Sequence, residues 1–211
     1  LNDAFMANDI VLVEDGALPP GEEFTNVPLL PKEGLLRIYI AEDETLGLNI
    51  EHPNVQSGFR VLYDREYSHL TPGKDPGSSE LFPVKGCYGI RPAAVGNQPM
   101  PMEDYRFDRD FAGLLTELGR GELEDEEADA LNVWLHPSGH RMGGYPWFTQ
   151  WDPRERDEYR KYDTLLFQLD SMDFGDMDIF IGDEGVMNFF IPEENLKRLD
   201  FSDVLYWWDC C

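Results

Sequence analysis

The sequence predicts an α+β fold, a single β-rich domain with mostly antiparallel strands and a few amphipathic helices, and three observations carry that expectation. Short apolar segments recur between breaks rich in Gly, Pro and Asp, the pattern of strands joined by turns. One window, 107–118, switches to the three- and four-residue spacing of a helix with one apolar face. No Ser/Gly-rich or Pro-rich linker splits the 211 residues into two separately patterned halves. With 42% apolar and 13% aromatic residues, the chain has material for a core without disulfide staples.

Residues 1–33 read as an opening strand, around the apolar patch Ile10–Val13, followed by an irregular arm containing Pro19-Pro20-Gly21. From residue 34 to 211 the patterning is that of the ordered domain. Leu35–Ile40 is rich in strand-forming residues and bounded by Gly34 and the acidic run Glu42–Glu44, and Phe59, Val61 and Tyr63 alternate onto one face of a second strand. Two Pro-Gly steps make 71–79 a loop. An extended stretch at Val84–Ile90 is expected to end in a connector from Arg91 to Pro101, because Pro and Gly interrupt it. Phe107, Phe111, Leu114, Leu115 and Leu118 mark a helix that Gly119 stops, and a more acidic helix follows over 124–135.

Further on, Asp152 as an N-cap with Pro153 at the first helical position starts a short helix toward Lys161. Leu165–Asp170 is a strand, 173–178 a turn, 179–181 extended, Gly182–Gly185 a second turn, and Val186–Ile191 a strand. Pro192 opens one helical turn, and Val204–Trp208 closes the sheet. The apolar-then-acidic runs at 34–42 and 164–171 have two readings, an internal duplication and a coincidence of composition.

Composition excludes several functions. Forty-two acidic residues against seventeen basic ones leave a net charge of −25, which opposes nucleic acid and anionic membrane surfaces and attracts a basic protein. No apolar run approaches the roughly 18 residues that span a bilayer. Three cysteines, two of them adjacent at 210 and 211, form no disulfide framework and fit a reducing cytoplasm. The chain opens on Leu1 without a basic and apolar leader pattern, and this start leaves residues upstream open.

The motifs of chemistry are weak. His136 and His140 stand four apart, but Pro137, Ser138 and Gly139 between them deny the helix that would pair them on zinc, so a loop holding exposed or hydrogen-bonded histidines is expected. Asp170, Asp173, Asp176, Asp178, Asp183 and Glu184 are dense enough to suggest calcium, yet their spacing is not that of an EF-hand. No Gly-x-Ser-x-Gly elbow and no Cys-x-x-Cys occurs. No catalytic residue, metal ligand or cofactor is therefore assigned. Gly143-Gly144-Tyr145-Pro146 is built for a tight return onto a sheet, through positive φ at glycine and extended geometry before proline. Gln168, Asp170, Asp183 and Asn188 lie within apolar segments, where polar groups cost stability unless hydrogen-bonded, so they are expected in a buried network.

Four islands in fixed order carry a family likeness: His140–Gln150, Leu165–Ser171, Gly182–Ile191 and Asp200–Cys210. Together they resemble the YwqG-like proteins, a bacterial family of unknown function, over roughly residues 30–211. Gln150, Gln168, Asp170, Asp183 and the terminal Trp208-Asp209-Cys210 match the family pattern, whereas Ile181 stands where members commonly carry Trp. The resemblance implies a fold neighbourhood without a reaction. Tyr145, Trp147, Gln150, Gln168, Asp170, Asp183 and Asn188 are the candidate ligand-contacting residues. The expected function is a non-enzymatic interaction module for a basic protein, of inhibitor or immunity type. The alternatives are a small-molecule-binding or hydrolytic protein with a cleft near 143–150 and 166–189, and a divalent-cation-binding protein.

Overall fold

A six-stranded antiparallel sheet forms the body of the molecule, in the order β10-β9-β6-β5-β1-β4. The computed structural model describes residues 6–13, 30–31, 33–70, 81–86, 88–97, 100–121, 123–135, 138–174 and 177–211. In chain order the strands are β1 (Met6–Val13), β2 (Leu35–Ile40), β3 (Phe59–Asp64), β4 (Gly89–Asn97), β5 (His140–Met142), β6 (Thr164–Asp170), β7 (Met172–Phe174), β8 (Met177–Ile179), β9 (Val186–Ile191) and β10 (Leu205–Asp209). The helices are α1 (Phe107–Glu117), α2 (Asp125–Leu135) and α3 (Glu193–Lys197). Two antiparallel pairs, β2 with β3 and β7 with β8, stand beside the large sheet. The architecture is thus the α+β, β-rich domain that the patterning implies. Among the described residues no helix is long and apolar enough to cross a membrane.

Strand β9 lies between β10 and β6, and all six of its residues are buried, as a strand covered on both faces requires. One face carries Met187, Phe189 and Ile191; there Phe189 stacks on Tyr206 at 4.5 Å, and Phe59 of β3 meets both rings. The β2–β3 pair therefore covers this side. On the opposite face Phe148 stacks on Phe190 and Trp151 meets Trp207 edge-on at 5.0 Å, so the irregular segment 143–162 covers the second side.

Several local expectations need correction. The connector placed at Arg91–Pro101 is instead most of β4, paired with β1 from Val13 opposite Gly89 to Met6 opposite Asn97. Pro92 is tolerated because β4 is the last strand of the sheet, where alternate backbone nitrogens face away from the neighbouring strand. His140 is not in a loop but on β5, and it is only 2% exposed. The helix expected after Asp152 breaks into two 3₁₀ turns, Pro153–Glu155 and Asp157–Tyr159, since Arg156 between them is extended with ψ 128°. The Asp152 cap itself is present, its carboxylate accepting from the Arg154 N–H at 2.9 Å. Helix α1 ends at Gly119 in a Schellman motif, with Gly119 N–H donating to Thr116 O and Arg120 N–H to Leu115 O. Its apolar stripe is only half covered: Phe107 and Leu115 are buried, Leu114 and Leu118 exposed. The runs compared as a duplication fall in different sheets, β2 in a two-stranded pair and β6 inside the large sheet. Residues 14–29, 71–79, Cys87 and His136 lie outside the described residues.

Candidate functional site

Register builds a polar row across the sheet. Arg141 lies opposite Gln168, Gln168 opposite Asn188, and Asn188 opposite Trp207, so these side chains leave the same face. This is the face that segment 143–162 crosses; Gly143 N–H still donates to the Leu165 carbonyl of β6, and from Trp147 to Trp151 the backbone is held by side chains on this face. Gln168, fully buried, accepts from the Trp147 N–H at 2.8 Å and donates to the Gly139 carbonyl at 2.8 Å. Asn188, also fully buried, donates to the Trp147 carbonyl at 2.7 Å, while its Oδ1 has no hydrogen-bond partner. Asp209 on β10 accepts from the backbone N–H groups of Thr149, Gln150 and Trp151. Burial pushes its carboxyl above the ordinary range despite those three donors.

At the sheet's other polar corner, Asp170 accepts from the Gly139 N–H at 2.6 Å and its own N–H donates to Nδ1 of His140 at 3.1 Å. His140 Nε2 is buried without a partner, and burial holds the imidazole down at about 4, so it is neutral at physiological pH. Gly143 and Gly144, at φ 73° and 72°, then turn the chain off β5, as the Gly-Gly-Tyr-Pro reading requires.

Tyr145 belongs to a different constellation. Its ring lies 5.1 Å beneath the Arg106 guanidinium. Arg106 forks onto Asp104 with two bonds of 2.7 Å, and the fully buried Arg154 bridges Asp152 at 2.7 Å and Asp104 at 3.2 Å while sitting 4.2 Å over the Phe190 ring. Burial alone would raise the Asp104 carboxyl, but the two guanidiniums outweigh it and hold it below the ordinary range. With two acids and two bases the cluster is neutral, and its members answer one another.

The outward side of the molecule is different around Phe180. Ile179 and Ile181 are fully buried, each stabilising by about 1.5–3 kcal/mol, and this alternation forces Phe180 between them outward, where it is 45% exposed. Two solvent-open basins meet at this ring. One, of ≈ 290 Å³, is floored by Trp208, Phe82 and Leu81 and edged by Asp43 and Glu44. The other, of ≈ 230 Å³, is walled by Trp147 and Met172 and edged by Asp170 and Glu184. Among the described residues the only basic one in their walls is Lys85. Asp43 is kept ionised by a hydrogen bond from the Gly47 N–H and another from the Thr45 hydroxyl, which hold its carboxyl below the ordinary range. Trp208 is fixed by its indole N–H donating to Thr45 O at 2.5 Å.

The sequence-derived candidates therefore divide. Trp147 and Asp170 reach a basin wall, and Asp183 lies exposed on the turn between two basin residues, Gly182 and Glu184. Gln168 and Asn188 are beneath, holding the Trp147 backbone; Gln150 donates to the Cys210 carbonyl; Tyr145 is in the ion cluster. Asp183 is thus separate from the buried network expected to contain it. Ile181, in the position where the sequence resemblance expects Trp, is core. The acids of 170–184 do not converge either: Asp170 is buried and Asp178, Asp183 and Glu184 are exposed, and no group of three or more His, Cys, Asp or Glu could hold a metal ion among the described residues. Phe180 and Phe82 escaped the sequence reading; the Ile-Phe-Ile alternation at 179–181 is the signal that reveals the first.

No curated protein matches the chain. A family model matches residues 16–210, and the chain belongs to the family it describes, a domain of unknown function (DUF1963).

Proposed function

We propose that this chain is a non-enzymatic interaction module that docks a basic protein on the Phe180 face, as an inhibitor or immunity-type partner does. The observation that carries the reading is the combination at that face of an exposed aromatic with two carboxylate-edged basins in a chain of net charge −25. Aromatic anchors exclude water at the centre of an interface, while rim carboxylates steer a cationic partner and set its orientation. Both basins are open to solvent and do not enclose a ligand, which suits a protein surface better than a site that buries a metabolite or a hydrolytic substrate. The islands resemble those of the YwqG-like proteins, a family without an assigned reaction, which supports a non-enzymatic reading, and the free Cys210 and Cys211 suit a reducing cytoplasm.

The test is retention of host proteins by the immobilised full chain and by Phe180→Ala/Glu44→Gln/Glu184→Gln, eluted with rising salt. The expected result is a basic protein held by the first, released by salt because such attraction decays over about 8 Å at physiological ionic strength, and not held by the second. Equal retention by both chains, or a partner indifferent to salt, overturns the proposal.

A further inference from the structure

We infer that a second partner protein lays an extended acidic segment along the open edge of β3, with one of its carboxylates paired to Arg60; this is independent of docking at Phe180, and the two surfaces share no lining residue. A solvent-open basin of ≈ 320 Å³ runs beside that edge, between Arg60–Tyr63 and the turn that carries Leu199, Phe201 and Ser202. Among the described residues its walls hold one cation, Arg60, and no carboxylate. The chain has forty-two acids for seventeen bases, and its other surface cations are spent on them: Arg37, Arg109, Arg120, Arg160, Lys161 and Lys197 each hold a carboxylate at 2.5–2.8 Å. Arg60 is exposed and makes no hydrogen bond, ion pair or ring contact among the described residues. The acids close to the basin in sequence are already answered, Asp64 by Arg37, Asp203 by Lys161 and the Tyr162 hydroxyl, and Asp200 by the Ser202 hydroxyl.

The ladder of the β2–β3 pair decides which backbone groups face the basin. Ala41 N–H donates to the Gly58 carbonyl, so the bonded pairs fall at Tyr39–Arg60 and Arg37–Leu62, and Val61 and Tyr63 direct their N–H and C=O groups outward. Gln56 accepts from the Val61 N–H at 3.0 Å and donates to the Phe201 carbonyl at 2.8 Å, which ties the two walls together; the Tyr63 N–H is the next donor along the edge. Extended segments recognise such an edge through main-chain bonds and gain specificity from alternate side chains. Residues of the added segment opposite Val61 and Tyr63 share the face on which Tyr63 meets Phe201 at 5.6 Å, and there apolar side chains fit. A residue opposite Leu62 shares the Arg60 face and reaches the guanidinium as a diagonal neighbour. A carboxylate at that place completes Arg60, whereas a basic segment meets a like charge. The net charge of −25 disfavours a dianionic phosphate or a second copy of the chain more than a single carboxylate, and this repulsion is screened over about 8 Å at physiological salt while the Arg60 contact is direct.

Amide shifts of the full chain, followed by NMR during titration with the peptides Thr-Val-Glu-Val-Thr and Thr-Val-Gln-Val-Thr, test this and read weak binding. The expected result is that the Glu peptide perturbs the Tyr63 amide, and that its affinity relative to the Gln peptide is about threefold or more higher in the native chain than in Arg60→Gln, a comparison in which the overall repulsion largely cancels. Arg60→Gln alters an exposed side chain, and circular dichroism checks that the fold is kept. An equal ratio in both chains overturns the Arg60 pairing. Shifts confined to residues around Phe180 overturn the placement on β3 while leaving that other surface standing. A Glu peptide N-methylated at both valines that binds as well as the parent overturns strand addition. Inorganic phosphate displacing the Glu peptide at equal concentration overturns the commitment to a carboxylate segment, and Tyr63 shifts that grow with chain concentration alone overturn the partner in favour of a second copy.

Discussion

The buried histidine of β5 gives the sharpest quantitative expectation. His140 has an ordinary value of 6.5 and is held at about 4 in the folded chain by burial. Between those values the unfolded chain binds a proton that the folded chain excludes, so stability is complete above about pH 6.5 and declines as pH falls toward 4. At about 1.4 kcal/mol per pH unit, the gap amounts to roughly 3 kcal/mol, a large share of a typical 5–15 kcal/mol. Asp209 acts with the opposite sign, because its raised carboxyl favours the folded chain on protonation, and Asp104 loses its contribution only as pH falls below the ordinary 3.8. The upper part of the window belongs to His140. Urea midpoints measured at steps from about pH 7.5 down to about 4.5 give the slope. His140→Asn keeps an acceptor for the Asp170 N–H and removes the titration, so the variant is expected to be nearly flat across that window even though its absolute stability shifts. An unchanged slope in the variant refutes the assignment of that proton to His140.

The polar row and the ion cluster make two further expectations. Gln168→Leu strands the Trp147 N–H and the Gly139 carbonyl, two part-buried groups at about 1 kcal/mol each, whereas Asn188→Leu strands only the Trp147 carbonyl and removes an Oδ1 that has no partner; equilibrium unfolding should therefore rank Gln168→Leu as the costlier by roughly a factor of two. Arg154→Met leaves the Asp152 carboxylate buried with backbone N–H donors but no counter-charge and is expected to cost about 3 kcal/mol, while Arg154→Met with Asp152→Asn should cost less than the single change; a double-mutant cycle with no coupling would contradict the ion-pair account.

What could be read from the sequence follows from how local each signal is. Strand β9 was legible because Val186–Ile191 is an apolar run between Gly185 and Pro192, and the end of α1 because Gly119 supplies the positive φ of 70° that a Schellman motif needs. Strand β5 was not, since three residues reading His-Arg-Met show no alternation and their burial comes from the strands on either side. Pro92 hid β4, because edge position is a property of the assembled sheet. Gln168 and Asn188 announced themselves as buried polar residues, but their partners are 21, 29 and 41 positions away and carry no mark in sequence, being backbone groups. Asp183 misled for the converse reason: it adjoins apolar β9 in sequence, yet the turn at 182–185, with Glu184 at φ 59°, swings it out to solvent.

That division has a physical logic. Segment 147–151 crosses a sheet face outside any of the sheet's strand pairs, and backbone groups taken from water must find partners somewhere. Gln168, Asn188 and Asp209 supply them, acting as a ladder made of side chains. Held in this way, the segment still sends adjacent side chains to opposite sides. Phe148 can go inward onto Phe190 while Trp147 remains at the surface as the wall of a basin. Stability and recognition then reside on opposite sides of one short segment: changes to the polar row should lower the unfolding free energy and disturb the Trp147 wall together, whereas changes at Phe180 or Glu184 should alter binding with the fold intact. A chain in which Gln168→Leu lowered the unfolding free energy but left retention of a basic partner untouched would break that link between the buried ladder and the surface it supports.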